Sequence, residues 1–303
     1  MRNYIAYGLR IRSDLPLPEL SEAEPGSDTD VSVHLGQVEL GSCDPAADRS
    51  ELRVSVDGTR FWLNGVGTYS VCDGREITIH PDANADDRLL RFNLLGLAMA
   101  LLLHQRKMVV LHASVISIDD GAAAFLGHSH SGKSTTAANL HRRGHPMITD
   151  DIAAIDVDTI GQPIVHPAFP LMRLWPEAVL SVGLHPDTLE NVYDGSPKRS
   201  SPAAAGFATE PVPLRTIYLM EYGPHFQIES IAPATAVAEL LNHSFVAGIL
   251  KSTNTAASHF HRCVRLAQSV RIVRLIRRRS IAELDQLAES IEEDFAQSAA
   301  PVR

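Results

Sequence analysis

Eight consecutive residues, Gly127-His128-Ser129-His130-Ser131-Gly132-Lys133-Ser134, complete a G-x-x-x-x-G-K-[ST] pattern. Ahead of them, Ala122 to Leu126 reads as a strand, and Lys133 to Arg143 reads as a helix ended by Gly144. A strand that turns through glycines directly into a helix belongs to a layered α/β fold. Each fixed position has a physical task. The glycines let successive backbone N–H groups face one anion, and the helix start adds partial positive charge. Lys133 has the reach for β- and γ-phosphates, and the Ser134 hydroxyl can hold Mg²⁺. Residues Gly127 to Ser134, with the adjoining Thr135, are therefore the candidate nucleotide contacts, and ATP with Mg²⁺ the candidate ligands. The same stretch imitates a hydrolase nucleophile elbow around Ser129, but that motif requires glycine where Ser131 stands.

Two textures meet near residue 105. In the first half, Val31-Ser-Val-His-Leu, Leu52-Arg-Val-Ser-Val, Arg60-Phe-Trp-Leu, Thr68-Tyr-Ser-Val-Cys and Ile77-Thr-Ile-His alternate apolar and polar residues, punctuated by Asp57-Gly58 and Asp73-Gly74. They predict a small antiparallel sheet domain. Residues 21–30 read as an acidic surface loop, and Asp86 to about Gln105 as a helix joining the halves. In the second half strand and helix patterns alternate, ending in two helices near 233–243 and 280–296, with 200–206 read as a mobile loop. The expected division is an N-terminal β-rich domain with its linking helix over 1–105 and an α/β domain over 106–303.

Asp150-Asp151 closes the strand pattern Met147-Ile-Thr, 17 and 18 residues beyond Lys133. In a parallel sheet the strand after such a helix can return beside the loop-bearing strand, carrying its terminal carboxylates to the phosphate site. One carboxylate then completes a metal shell and the other takes a proton from an attacking hydroxyl. An aspartate pair can also simply cap a turn. His112 ends the run Met108-Val-Val-Leu, 15 residues before Gly127. A lone histidine after an apolar strand is more often structural than catalytic.

Taken together, Leu111-His112-Ala-Ser, the Gly127–Ser134 loop, and Leu140-His-Arg-Arg-Gly144-His145-Pro-Met-Ile-Thr-Asp150-Asp151 resemble the HPr kinase/phosphorylase family, bacterial serine kinases whose nucleotide-binding domain is akin to phosphoenolpyruvate carboxykinase. The resemblance covers residues 108–156. It implies a phosphotransferase that uses ATP and Mg²⁺ and acts on a serine or related hydroxyl of a peptide or small protein. Carried over residue by residue, it makes His112 an orienting or acid/base partner and Lys133 and Ser134 ligands of nucleotide and metal. The Asp150/Asp151 pair becomes base and metal contact, with Asp150 favoured as the base and Asp151 beside Ser134 at the metal. The family's later Glu-containing signature is not recognisable; the chain instead reads His166-Pro-Ala-Phe-Pro-Leu-Met-Arg173-Leu-Trp175. That departure leaves a glutamate metal ligand unassigned and puts in question both HPr as the substrate and a reverse, phosphate-dependent reaction. The opening Tyr7-Gly-Leu-Arg-Ile-Arg-Ser-Asp-Leu-Pro is similar to shortened relatives that tailor lasso peptides by phosphorylating a precursor serine. Members of the family are oligomeric, so a homo-oligomer is an accompanying expectation.

Arg173 reads either as a clamp on a phosphoryl group or carboxylate, catalytic in that case, or as a surface arginine packed on Trp175. Lys198-Arg199 reads as a solvated loop that can also close on phosphate or peptide. Arg262, Arg265, Arg271, Arg274 and Arg277-Arg-Arg279 place seven basic residues within 18 positions. No aromatic platform is interleaved with them, and the chain carries 36 acidic against 27 basic residues for a net −9, so nucleic acid is not the expected partner. A solvated face or an edge that docks acidic peptide fits better. The pairs His128/His130, His141/His145 and His259/His261 lack the CxxC or HExxH company of a zinc site. The longest apolar run, Leu94 to Leu103, is about half of the ~20 residues that span a bilayer and reads as a buried helix, which argues against a membrane partner. Three scattered cysteines, Cys43, Cys72 and Cys263, and an N-terminus without an apolar signal core lead to the expectation of a cytoplasmic protein. Two other readings stay open at this level: a nucleotide-binding regulator or slow NTPase, and a small-metabolite kinase.

Overall fold

Alternation decides the first half. Val31 and Val33, Tyr69 and Val71, and Ile77 and Ile79 are all buried, on one face of a sheet whose intervening residues are wetter. The computed structural model describes residues 1–24, 26, 28–39, 51–55, 58–158, 161–250 and 252–298. Its first sheet comprises β1 (Arg2–Ala6), β2 (Leu9–Ser13), β3 (Ser21–Glu22), β4 (Val31–Leu35), β5 (Glu51–Ser55), β6 (Gly58–Leu63), β7 (Gly67–Cys72) and β8 (Glu76–Pro81). The order is β3-β1-β2-β4-β8-β7-β6-β5. The expected all-antiparallel pattern is corrected at β4, which lies parallel to both β2 and β8. Long connections on either side of β4 permit that pairing, whereas the tight Asp73-Gly74 turn, both residues with positive φ, enforces the antiparallel β7–β8 hairpin. The expected Asp57-Gly58 turn and Cys43 lie partly or wholly outside the described residues.

Asp86 then caps α1 (Asp87–Asn93) by accepting from the Leu89 N–H. A single π-helical turn, Leu94–Ala98, passes into α2 (Met99–Gln105). This is the anticipated apolar helix; Leu94, Leu95 and Met99 to Leu103 are buried in one cluster with Tyr4, Tyr69 and Ile79 of the sheet and with Val110, Ile152, Phe169 and Val246 from later in the chain. Among the described residues no helix is long and apolar enough to cross a membrane.

The second half supplies β9 (Val109–Leu111), β10 (Ala113–Ile118), β11 (Gly121–Leu126), α3 (Lys133–Arg142), β12 (Met147–Thr149), β13 (Ala153–Asp156), β14 (Ile164–His166), β15 (Leu171–Leu174), α4 (Pro176–Ser181), β16 (Arg199–Pro202), β17 (Val212–Tyr222), β18 (Gln227–Ser230), α5 (Pro233–Asn242), α6 (Ala256–Ser269), β19 (Arg271–Arg277) and α7 (Leu284–Ser298). Its main sheet runs β12-β10-β11-β17-β19-β18. The near end of β17 also pairs with β14, which leads through β13 to β9. Residues of β11 are buried on both faces: Ala123 and Phe125 lie in the cluster with α3 and α7, and Ala122, Ala124 and Leu126 in the cluster with α5 and α6. A strand covered on both sides reads as an unbroken apolar run, which is what Ala122 to Leu126 is.

Three expectations are corrected here. The strand after α3 does not return beside β11: β12 pairs with β10, which separates the two. Because both β11 and β12 run antiparallel to β10, they point the same way, and their C-terminal ends still open on one edge. Residues 200–206 are not a free loop, since Arg199–Pro202 pairs with Leu171–Leu174 and Ala203 is buried. The helix α6, absent from the sequence reading, separates the two helices expected at the end of the chain; its apolar stripe is interrupted by buried His259.

Candidate functional site

Strand β11 ends at Leu126 and the chain enters the glycine loop. At Gly127 φ is +155°, and a Cβ there would stand 2.6 Å from Ser131 Oγ and 2.9 Å from the Met220 carbonyl. Gly132, left-handed at φ +91°, is the N-cap of α3, and a Cβ on it would overlap the Arg277 guanidinium. Both positions accept only glycine without displacement. Inside the turn, Lys133 Nζ donates to the carbonyls of Gly127 at 2.8 Å and His128 at 3.2 Å. Its ammonium is buried, and burial lowers its pKa against the upward pull of Asp151 and Asp150. Ser131 is buried with no hydrogen-bond partner for its hydroxyl among the described residues, Ser134 and Thr135 are half-buried, and His128, Ser129 and His130 are exposed.

The two aspartates at the end of β12 have different surroundings. Asp150 is buried: Oδ1 accepts from Ser114 Oγ at 2.6 Å and Oδ2 from the Arg173 backbone N–H at 2.9 Å. Asp151 turns outward through a left-handed backbone, φ +86°, uncommon for a residue with a Cβ. Its Oδ2 accepts from Arg173 Nη1 at 2.8 Å, and its Oδ1 lies 3.4 Å from His112 Nε2. Burial pushes the Asp151 carboxyl up, but Arg173, His112 and Lys198 outweigh it and hold it below the usual carboxylate range. His112, at the β9–β10 junction, is fixed through its N–H to the His243 carbonyl at 2.9 Å and stacks on Phe245. Burial lowers its pKa more than Asp151 raises it, so the imidazole is neutral near pH 7.

Lys133 at the start of α3, His112 between β9 and β10, the adjacent Asp150 and Asp151 after β12, and Arg173 on β15 are thus brought to one edge. Arg173 is not a surface residue packed on Trp175. Its side chain is buried, with the guanidinium on the face of Phe92, 4.5 Å from the ring centroid. Lys198 lies within electrostatic reach of Asp151, His112 and Lys133, with its ammonium 6.0 Å from the Trp175 ring centroid. Trp175 in turn meets the His130 ring at 5.0 Å.

Several neighbours escaped the sequence reading. Ser114 lies in the motif around His112, and a serine on a strand carries no mark of the carboxylate it meets. His243, pushed down to about 4 by burial and then by His128, packs 5.2 Å from the His128 ring; nothing in its local sequence marks it. Arg277 donates to the Ser131 carbonyl at 3.0 Å and sits on Tyr222, whose hydroxyl donates to the His130 carbonyl at 2.9 Å. The arginine run is not an open basic edge: β19 has a neighbour on each side, Arg271 pairs with Asp294, Arg274 with Glu221 and Glu229, Arg278 with Glu283 and Arg265 with Asp158. The histidine pairs are likewise engaged. His141 Nδ1 is bonded to the His145 carbonyl and His145 Nε2 to Glu292. Among the described residues no group of three or more His, Cys, Asp or Glu side chains is placed to hold a metal.

Chemically, the loop offers backbone N–H groups, a helix start and one ammonium to a polyphosphate, with an ionised carboxylate on the neighbouring connection. No protein-family profile matches the chain, and no curated protein matches it. Among solved structures, the chain is similar to the Hpr(Ser) kinase/phosphatase from Coxiella burnetii, at 10% identity over 62% of this chain and 93% of that one, with a TM-score of 0.33.

Proposed function

We propose that this chain is an ATP-dependent phosphotransferase that acts on a serine or related hydroxyl of a peptide or small protein, a lasso-peptide precursor being the leading acceptor class. The observation that carries the reading is the convergence on one sheet edge of the Gly127–Ser134 loop and the His112–Asp151–Arg173 cluster. The donor set suits Mg·ATP. Glycines at Gly127 and Gly132 keep the loop backbone bare, and the Ser131 hydroxyl is buried without a partner among the described residues. Mg²⁺ keeps several of its ligands from water and phosphate rather than from a protein cage. Ser134 would hold it, and when bound it would supply charge neutralisation on the phosphates.

Lys133 and the loop N–H groups bind the phosphates and stabilise charge that grows during transfer. The role of hydroxyl acceptor, read from the sequence onto Asp150, passes to Asp151. Both Asp150 oxygens are occupied by Ser114 and by the Arg173 N–H, so Asp150 holds the β12 end in place. Asp151, ionised and part-exposed, orients or deprotonates the acceptor; Arg173 fixes its rotamer and neutral His112 stands ready to share the proton.

Intact mass spectrometry of serine-bearing peptides incubated with the full chain and Mg·ATP tests the proposal. One added phosphate, lost in Lys133→Ala, is the expected result. ADP release with no acceptor modified would instead establish hydrolysis, and neither product would refute the reading.

A further inference from the structure

Every arginine side chain of β19 except one has a carboxylate. Arg271 has Asp294, and Arg274 has Glu221 and Glu229. Arg277, the most buried of the three at 7% exposed, has none among the described residues. Its Nη2 donates to the Ser131 carbonyl and to the Tyr222 hydroxyl, its Nη1 donates to the Arg278 carbonyl, and its Nε is buried without a partner among the described residues. A buried cation without a counter-ion is costly, and a fixed site for one normally serves an anion that arrives from outside. The backbone of the phosphate loop is the surface it braces.

Arg277 also forms a wall of a cavity of about 300 Å³ between the far ends of β17 and β19 and the start of α7. That volume is at the lower end of the ~300–1,000 Å³ typical of small-molecule sites. Phe226, 44% exposed despite its ring, lines it together with Arg278, whose guanidinium is pinned by Nε to the Pro224 carbonyl at 2.7 Å. Ser280, Glu283 and Gln286 add hydrogen-bonding groups. An aromatic ring and a planar guanidinium beside a few polar groups suit a flat heterocycle with polar edges, and stacking on such faces is a strong contributor to base binding.

We propose that this cavity is the seat of the nucleoside half of a nucleotide whose phosphates lie in the Gly127–Ser134 loop, with Arg277 joining the two subsites. The proposal deepens the phosphotransferase reading and rests on it. Direction supports it. The parallel strands β11, β17 and β19 end on the same edge, so a ligand anchored at the N-terminus of α3 can extend sideways across Tyr222 to Phe226 without leaving that edge.

Calorimetric titration of the full chain with ADP and with tripolyphosphate, each with Mg²⁺, separates the two subsites. Phe226→Ala, an exposed position whose loss leaves the core intact, and Ser280→Trp, which fills the cavity, are expected to weaken ADP tenfold or more while leaving tripolyphosphate within twofold. Lys133→Ala is expected to weaken both probes. Unchanged ADP affinity in both cavity variants, with Lys133→Ala still weakening both probes, would overturn the cavity and keep the phosphate loop. Failure of the wild-type chain to bind either probe would overturn both readings.

Discussion

Two adjacent aspartates of one dipeptide have opposite duties because their backbones differ. Asp150 keeps out of the left-handed region and is buried, where its two oxygens meet a hydroxyl and an N–H. Asp151 takes a left-handed φ and points back to the glycine loop's side, between His112 and Arg173. Substituting Asp151→Asn is expected to lower kcat for phosphotransfer at least a hundredfold with the fold retained. Asp150→Asn is expected to cost about 1–3 kcal/mol of stability in urea unfolding, because buried donors lose a charged acceptor. A pH profile adds a sign. Arg173 helps to hold the Asp151 carboxyl low, so Arg173→Met removes a downward influence and moves the acid limb of kcat/KM to higher pH. An acid limb that stays in place in that variant would show that Asp151 is not the titrating group.

At the scale of elements, α2 and α6 meet through histidines. His104 Nε2 is 2.9 Å from Thr255 Oγ1, His259 Nε2 is 3.5 Å from Cys263 Sγ, and the two rings stand edge to face at 5.6 Å. Burial, and for His104 then the proximity of His259, pushes both pKa values from 6.5 down to about 4. A folded-state pKa below the unfolded one means that the unfolded chain binds more protons between the two values. Stability is therefore fully present above pH 6.5 and lost as pH falls toward 4, at about 1.4 kcal/mol per pH unit for each histidine. The urea midpoint should decline across that window, and His259→Leu should flatten the decline; a midpoint constant from pH 7 to 5 would contradict the burial argument. On the opposite face α7 is tied down differently. Asp294 accepts both nitrogens of Arg271 and the hydroxyl of buried Tyr218, so one carboxylate locks α7 to β17 and β19.

Across the whole molecule, the division near residue 105 separates two sheets, but one of the three hydrophobic clusters spans it. The helical segment Leu94 to Leu103 is buried simultaneously against the first sheet and against Val110, Ile152, Phe169 and Val246. The turn at Tyr7 and Gly8 is docked on the second half as well, its Tyr7 N–H donating to the Pro167 carbonyl at 2.6 Å. Shared burial couples the unfolding of the parts that share it. The chain has two tryptophans, Trp62 in the first sheet and Trp175 beside the glycine loop. Single-tryptophan variants, Trp62→Phe and Trp175→Phe, should give coincident urea transitions by fluorescence; separated midpoints would show that each half has its own stability.

Features that depend on neighbours along the chain were legible in the amino-acid order. Glycine spacing forces the turn between β11 and α3, alternation gives strands such as β4 and β8 their buried face, and the apolar run gives the helix that lies under both sheets. Tertiary structure alone decided what depends on which strand lies beside which. The order β12-β10-β11 inserts a strand where direct adjacency was expected, yet keeps the direction that sends Asp151 to the glycine loop. His243 lies more than a hundred residues from His112 and Arg277 more than a hundred from Ser131, so no local pattern records these contacts. The choice between Asp150 and Asp151 was also out of reach of the sequence. It rests on one backbone dihedral and on Ser114 and Arg173, which arrive from separate strands, and the identity of the dipeptide is the same whichever carboxylate turns outward.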